Sequence, residues 1–132
     1  MKIVTKLFKF WLPVVLWMGV IFFLSAQPNL RTELGIWDTV LRKVFHVSEF
    51  ALLTFLLFRA LREDVDYRKA LFLSLIFAFL YSISDEYHQT FVSGREGTGR
   101  DFLIDSAGIV GMGLYLRIKK GQLRSQNSKR AT

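Results

Sequence analysis

Between Phe10 and Ala26 the chain reads FWLPVVLWMGVIFFLSA, 17 residues without a charge. A helix that is apolar around its whole circumference has no face to offer water. Extended back to Leu7, this stretch reaches the ~20 residues that carry a helix across a ~30 Å hydrocarbon core. Three further apolar blocks follow: Val44 to Leu61, Ala70 to Ser84 with a helix continuing to about Gln89, and Phe102 to Leu116. They are interrupted only by His46, Glu49 and Arg59 in the second block and by Asp105 in the fourth. The expected fold is all-α, an integral membrane bundle of four transmembrane helices. A soluble bundle would instead carry polar stripes facing water along each helix.

Composition narrows the choices further. Hydrophobic residues make up 52% of 132 residues, enough for one domain, and 13 of them are Phe. There is no Cys, which excludes disulfides, zinc thiolates and Cys nucleophiles. The net charge of +7 sits beside apolar blocks, which points to a membrane surface and not to nucleic acid. The first block imitates a signal peptide, with Lys2, Lys6 and Lys9 before it and LSA before Gln27. Its apolar run is longer than a usual signal core and Leu24 is large for a cleavage site, so it reads as a retained helix.

Lys and Arg placement sets the orientation. With the N-terminus cytoplasmic, the inside holds Lys2, Lys6, Lys9, Arg59, Arg62, Arg68, Lys69 and every basic residue from Arg117 on, 13 of the 18. The outside keeps Arg31, Arg42, Lys43, Arg95 and Arg100. Both termini are therefore expected in the cytoplasm. Residues 1–118 form the transmembrane domain, and 119–132 a basic, disordered tail resting on anionic headgroups.

This orientation gathers the unusual polar residues at the outer end. On a helix at 100° per residue, Arg42, His46 and Glu49 fall within ~60° of one another, with Lys43 beside His46. Ser82, Asp85 and Gln89 share a face of the third helix, flanked by Glu86. Asp101, Asp105 and Gly108 share a face of the fourth. Glu49 lies ~10 Å along the helix from Arg42, too deep for a headgroup residue. A carboxylate at that depth must be paired or face a wet cavity, and so marks a functional candidate. The expected acid–base residues are His46, Glu49, Asp85 and Glu86. The expected ligand contacts are Arg42, Lys43, Gln89, Arg95, Arg100, Asp101 and Asp105. Four cations (Arg42, Lys43, Arg95, Arg100) stand against six acids (Glu49, Asp85, Glu86, Glu96, Asp101, Asp105), which low dielectric disfavours. Either His46 is charged, a carboxyl is protonated, or a cation such as Mg²⁺ or Mn²⁺ is bound. The guanidinium and ammonium groups suit a phosphate.

Other polar and small residues read more plainly. Arg31 and Arg59 are expected to snorkel, and His88 and Glu96 to be interface residues. Trp37, Tyr81 and Tyr87 fit an aromatic belt, and Gly108, Gly111 and Gly113 allow close helix packing. GREGTG lacks the Lys-Ser/Thr of a phosphate loop and follows no strand, so it reads as an external loop.

FFLSAQPNL, LRKVFHVSEF and SDEYHQTFVSGREGTGRDFLIDSAG, in that order, resemble the VanZ-like family of small bacterial membrane proteins. The resemblance covers about Phe10 to Leu116. It implies a multi-pass protein of the cell membrane whose polar signature falls on Lys43, His46, Glu49, Asp85, Glu86, Gln89, Arg95, Asp101 and Gly108. Asp105 stands where the family often has Asn. The best-known namesake is associated with teicoplanin resistance, but the resemblance supplies no biochemical activity. Three functions remain open: an outward-facing site for a lipid or lipid-linked phosphate headgroup acting on the cell envelope, a non-enzymatic structural or interaction protein of the envelope, and an ion-coupled carrier.

Overall fold

The computed structural model of the chain describes residues 3–28, 35–95 and 99–130. Arg31, Thr32, Glu96 and Thr98 lie outside the described residues. Four helices are seen: α1 (Ile3–Ser25), α2 (Ile36–Leu61), α3 (Tyr67–Gln89) and α4 (Gly99–Arg130). No strand occurs among the described residues. α1, α2 and α3 are long and apolar enough to cross a membrane by length and composition.

The four helices do not form a closed ring. α2 packs against all three others, most extensively against α4, and α3 bridges α1 and α4. α1 and α4 do not touch among the described residues, so they flank the α2–α3 pair. Phe50, Leu53, Ile21, Ala78 and Ile109 are fully buried where these helices meet. The outward faces carry large apolar side chains such as Phe8, Phe23, Phe72 and Leu103, each more than 60% exposed. An apolar exterior over a core that buries Ser25, Glu49, Thr54, Ser74, Ser82, Asp85, Gln89 and Asp105 beside its apolar residues is unlike a soluble bundle. Because lipid tails are as apolar as Leu, burial alone does not drive such helices together; shape and interhelical polar bonds must.

Local sequence accounts for several boundaries. Asp66 caps α3, its Oδ1 accepting the N–H groups of Arg68 (3.0 Å) and Lys69 (3.2 Å). These amide bonds, Lys69's foremost, hold the Asp66 carboxyl below its ordinary pKa. In α1 a π-helical turn at Leu7–Trp11 precedes Pro13. Proline has no N–H to give the carbonyl four residues back, which is that of Lys9. Arg59 from α2 fills the place, its guanidinium donating to Lys9 O at 3.0 Å and lying over the Phe10 ring. Arg59, half-buried near the end of α2, thus makes a specific contact with α1.

Two helices are longer than the apolar blocks suggested. α2 begins at Ile36, just after Gly35 at φ +56°, well before Val44. α4 runs on through Lys119 to Arg130, where a disordered tail was expected. Its last three turns mix Lys, Gln, Leu and Arg with Gly121, Ser125, Asn127 and Ser128 and hold no Pro. Extending an existing helix carries no nucleation cost, so a segment of mixed propensity without Pro can continue it.

Antiparallel succession puts Ser25, the start of α2, Gln89 and the start of α4 at one end. The opposite end is tied by Lys6 to Asp64 and by Tyr67 OH donating to the Leu116 carbonyl.

Candidate functional site

Gly108 controls how closely α4 approaches α2. A Cβ placed there would stand 2.2 Å from Val47 O and 3.0 Å from its carbonyl carbon. Only hydrogen fits. One turn toward the polar end, this close approach brings Asp105 of α4 to His46 of α2, with Nδ1 3.1 Å from Asp105 Oδ1. Ser82 of α3 donates to the other oxygen at 3.0 Å. Asp105 has no exposed surface and joins three helices through its two oxygens. With Asp105 ionised the carboxylate can only accept, so in that state Nδ1 of His46 donates and, with the ring neutral, Nε2 remains for other chemistry.

A second polar tie links α1 and α3. Ser25 donates to Asp85 Oδ2 at 2.7 Å, and Gln89 donates to the same oxygen at 2.8 Å. Asp85 and Gln89 are each 2% exposed. Asp85 Oδ1 is buried without a hydrogen-bond partner in the structure, as are both carboxyl oxygens of Glu86. Nearby, Trp17 donates to Glu49 O at 2.9 Å and Tyr81 to Met18 O at 2.6 Å, fastening α1 to its neighbours.

Between these ties a cavity of about 320 Å³ opens at the polar end. Leu24, Ser25 and Gln27 of the α1 end, Arg42, Phe45, His46 and Glu49 of α2, and Arg95 of the α3–α4 connection line it. Arg42 is held by Asp38 one turn earlier, Nη2 to Oδ2 2.8 Å. Arg95 folds back over the α1 end and donates to Leu24 O at 3.3 Å, while its buried Nε has no partner among the described residues. Burial lowers the Arg95 pKa and Arg42 adds to this, while Asp85, Asp101 and Glu49 pull it back up. The guanidinium therefore sits in the combined field of four of the charged groups expected to converge.

The sequence-derived set divides. Arg42, His46, Glu49 and Arg95 share the cavity, and Asp105 supports it through His46. Asp85 and Gln89 lie behind its Ser25 wall. Glu86 is part-buried on α3 and does not line the cavity. Lys43 faces a separate groove between α2 and α4, with Ser48, Leu103 and Ala107. Arg100 is exposed and Asp101 half-buried at the start of α4. His88 stacks on Phe22, centroids 4.0 Å apart. Tyr81 points inward, away from the expected belt, and Trp37 and Tyr87 are exposed. Among the described residues no three His, Asp or Glu side chains are grouped to hold a metal ion, so the acid set does not fit one and no step here uses one.

Ser25, Trp17 and Asp38 were not anticipated. Nothing marked Ser25 in its apolar run except phase, since it ends a stripe with Trp17 and Ile21 at helical spacing. Asp38 at four residues before Arg42 is a recognisable helical ion pair.

A family model described as VanZ/LLP1 matches residues 10–119. No curated protein and no solved structure matches the chain.

Proposed function

The chain belongs to the VanZ/LLP1 family, and on that premise we propose that its polar cavity is an outward-facing site for a phosphate-bearing lipid headgroup. In this reading α4 crosses the membrane with the other three helices and both termini are cytoplasmic. The protein is then a multi-pass protein of the cell membrane acting on the cell envelope. The observation that carries the reading is Arg95: a half-buried guanidinium lining a cavity with Arg42, its buried Nε unused among the described residues. Two guanidinium groups match the planar, multidentate geometry of a phosphate. The neighbouring apolar exterior supplies a surface for acyl or prenyl chains.

The chain's own groups allow a proton to move at the bound headgroup. Asp105 holds Nδ1–H of His46, which orients the ring and leaves Nε2 as a base toward the cavity. Glu49 lines the same space and can serve as the second acid–base group. A purely structural reading is favoured for one member only. Asp85 spends Oδ2 on donors from α1 and α3, so it acts as a tie between helices.

The test uses full-length protein in nanodiscs of phosphatidylcholine doped with a polyprenyl phosphate. Wild-type protein should bind the phosphate lipid, and Arg95→Ala should bind it at least about tenfold more weakly, the worth of one charged hydrogen bond. His46→Gln should keep binding but lose any release of inorganic phosphate. Equal binding by wild type and Arg95→Ala, with both folded, would remove the proposal.

A further inference from the structure

At the opposite end of the bundle, α3 and α4 enclose a groove of about 520 Å³. α3 contributes Arg68, Leu71, Phe72 and Leu75, and α4 contributes Arg117, Lys120, Gly121 and Arg124. Each set has the spacing i, i+3, i+4, i+7, one helical face apiece, so the two faces look at each other across the groove. Four cations line it and no acid does. None of the four is ion-paired with a carboxylate among the described residues. The nearest acid in the chain, Asp66, is turned to the α3 amides and Lys69. Tyr67 lies at the groove wall, with the Lys120 ammonium 4.3 Å above its ring. At Gly121 an added Cβ would meet nothing within 4 Å, so the α4 wall is open there.

Like charges drawn together without counter-charges repel one another unless an anion lies between them. The cations run along the α4 wall from Arg117 to Arg124, with Arg68 at the start of the α3 wall; Leu71, Leu75 and the largely exposed Phe72 continue from Arg68 along α3. A phosphate at the cations and hydrocarbon against Phe72 and Leu75 would use both parts. We propose that this groove is a specific binding site for an anionic phospholipid of the leaflet at this end, separate from the polar cavity at the other. The proposal rests on α4 lying beside α3 in the membrane and not on any function of the Arg95 cavity. It also gives the long α4 a purpose: the helix must continue past Leu116 for Lys120 and Arg124 to share a face with Arg117.

The experiment reconstitutes the full chain in nanodiscs of equal phosphatidylglycerol and phosphatidylcholine, extracts it in mild detergent, and reads retained lipid by native mass spectrometry. Wild type and Arg95→Ala should each retain phosphatidylglycerol in preference to phosphatidylcholine. The double variant Arg68→Gln/Lys120→Gln should retain about thirty-fold less, the factor for two cations at about 1 kcal/mol each. Arg124→Gln alone, on an exposed turn with no partner outside the groove among the described residues, should lose about fivefold and guards against misfolding of the double variant. Lys9→Gln/Lys69→Gln, at the same end but outside the groove, should match wild type. Equal loss in that control would mean diffuse surface attraction and would overturn the site. So would unchanged retention in the groove variants, or equal retention of both lipids by wild type. Displacement of phosphatidylglycerol by millimolar inorganic phosphate would assign the groove to a soluble anion instead of a lipid.

Discussion

Replacing Gly108 by Ala puts a methyl group where the structure has none to spare. The added Cβ would lie 2.2 Å from Val47 O and 3.2 Å from Ala51 N, both backbone atoms of α2 that no rotamer change can move. Carbon and carbonyl oxygen normally stand about 3.3 Å apart or more. α4 must therefore withdraw from α2 by about 1 Å. The His46–Asp105 contact, 3.1 Å in the native structure, lies one turn away. A shift of that size stretches it to ~4 Å, beyond hydrogen-bond range. Overpacking costs about 1–3 kcal/mol and loss of a charged hydrogen bond a further ~1.5–3 kcal/mol. Better helix propensity of Ala returns about 1 kcal/mol. The net expectation is destabilisation by about 1.5–5 kcal/mol. Gly111, one turn on, provides the control, since a Cβ there meets nothing within 4 Å. Gly111→Ala should be neutral or up to about 1 kcal/mol stabilising. The assay is reversible unfolding in micelles or bicelles, with the His46 imidazole resonance followed by NMR. If Gly108→Ala unfolds like Gly111→Ala and leaves that resonance in place, the close-approach argument is wrong.

Arg59→Ala should cost about 1 kcal/mol by leaving Lys9 O unbonded. In a Pro13→Ala background the restored N–H supplies that carbonyl, so the cost should vanish, and an additive double-mutant cycle would refute the link. Asp66→Asn keeps the cap acceptor of α3 but removes its charge. The depressed Asp66 pKa means the charged form stabilises the fold above the ordinary carboxylate pKa, and that gain is lost as pH falls through the lowered value. Wild type should therefore exceed Asp66→Asn in stability at pH 7 and converge with it in acid; a gap that persists below pH 2 would contradict the assignment. Topology predicts that Ser93→Cys is labelled from outside whole cells and Glu63→Cys only after permeabilisation, and the reverse pattern would invert the protein.

Much of the fold is legible in the residues because membrane helices are governed by short-range rules. Uncharged length gives spans, and 3.6-residue phase gives faces. Antiparallel succession then puts Ser25, His46, Gln89 and Asp101 toward one end whatever the details of packing. Arg42, His46 and Glu49 could be assigned to one face of α2 from spacing alone, and they share a cavity. Family likeness over residues 10–119 was also visible in three short motifs.

Partnership was not legible, because it depends on distances between helices that no local rule contains. Lys43 is next to Arg42 in the chain but 100° around the helix, and faces a different groove. The sequence offered Asp85 as an acid–base residue and Asp105 as a ligand contact, without saying which atoms either would meet. The structure gives one to Ser25 and Gln89 and the other to His46 and Ser82. The missing N–H of Pro13 leaves the Lys9 carbonyl without its helical donor, and Arg59, 50 residues away, donates to it instead. The sequence by itself determined which residues are apolar, which share a face and which end they occupy, since these follow from covalent spacing. Only tertiary structure decided which polar atoms meet, because that rests on approach set by a contact as small as the missing methyl of Gly108.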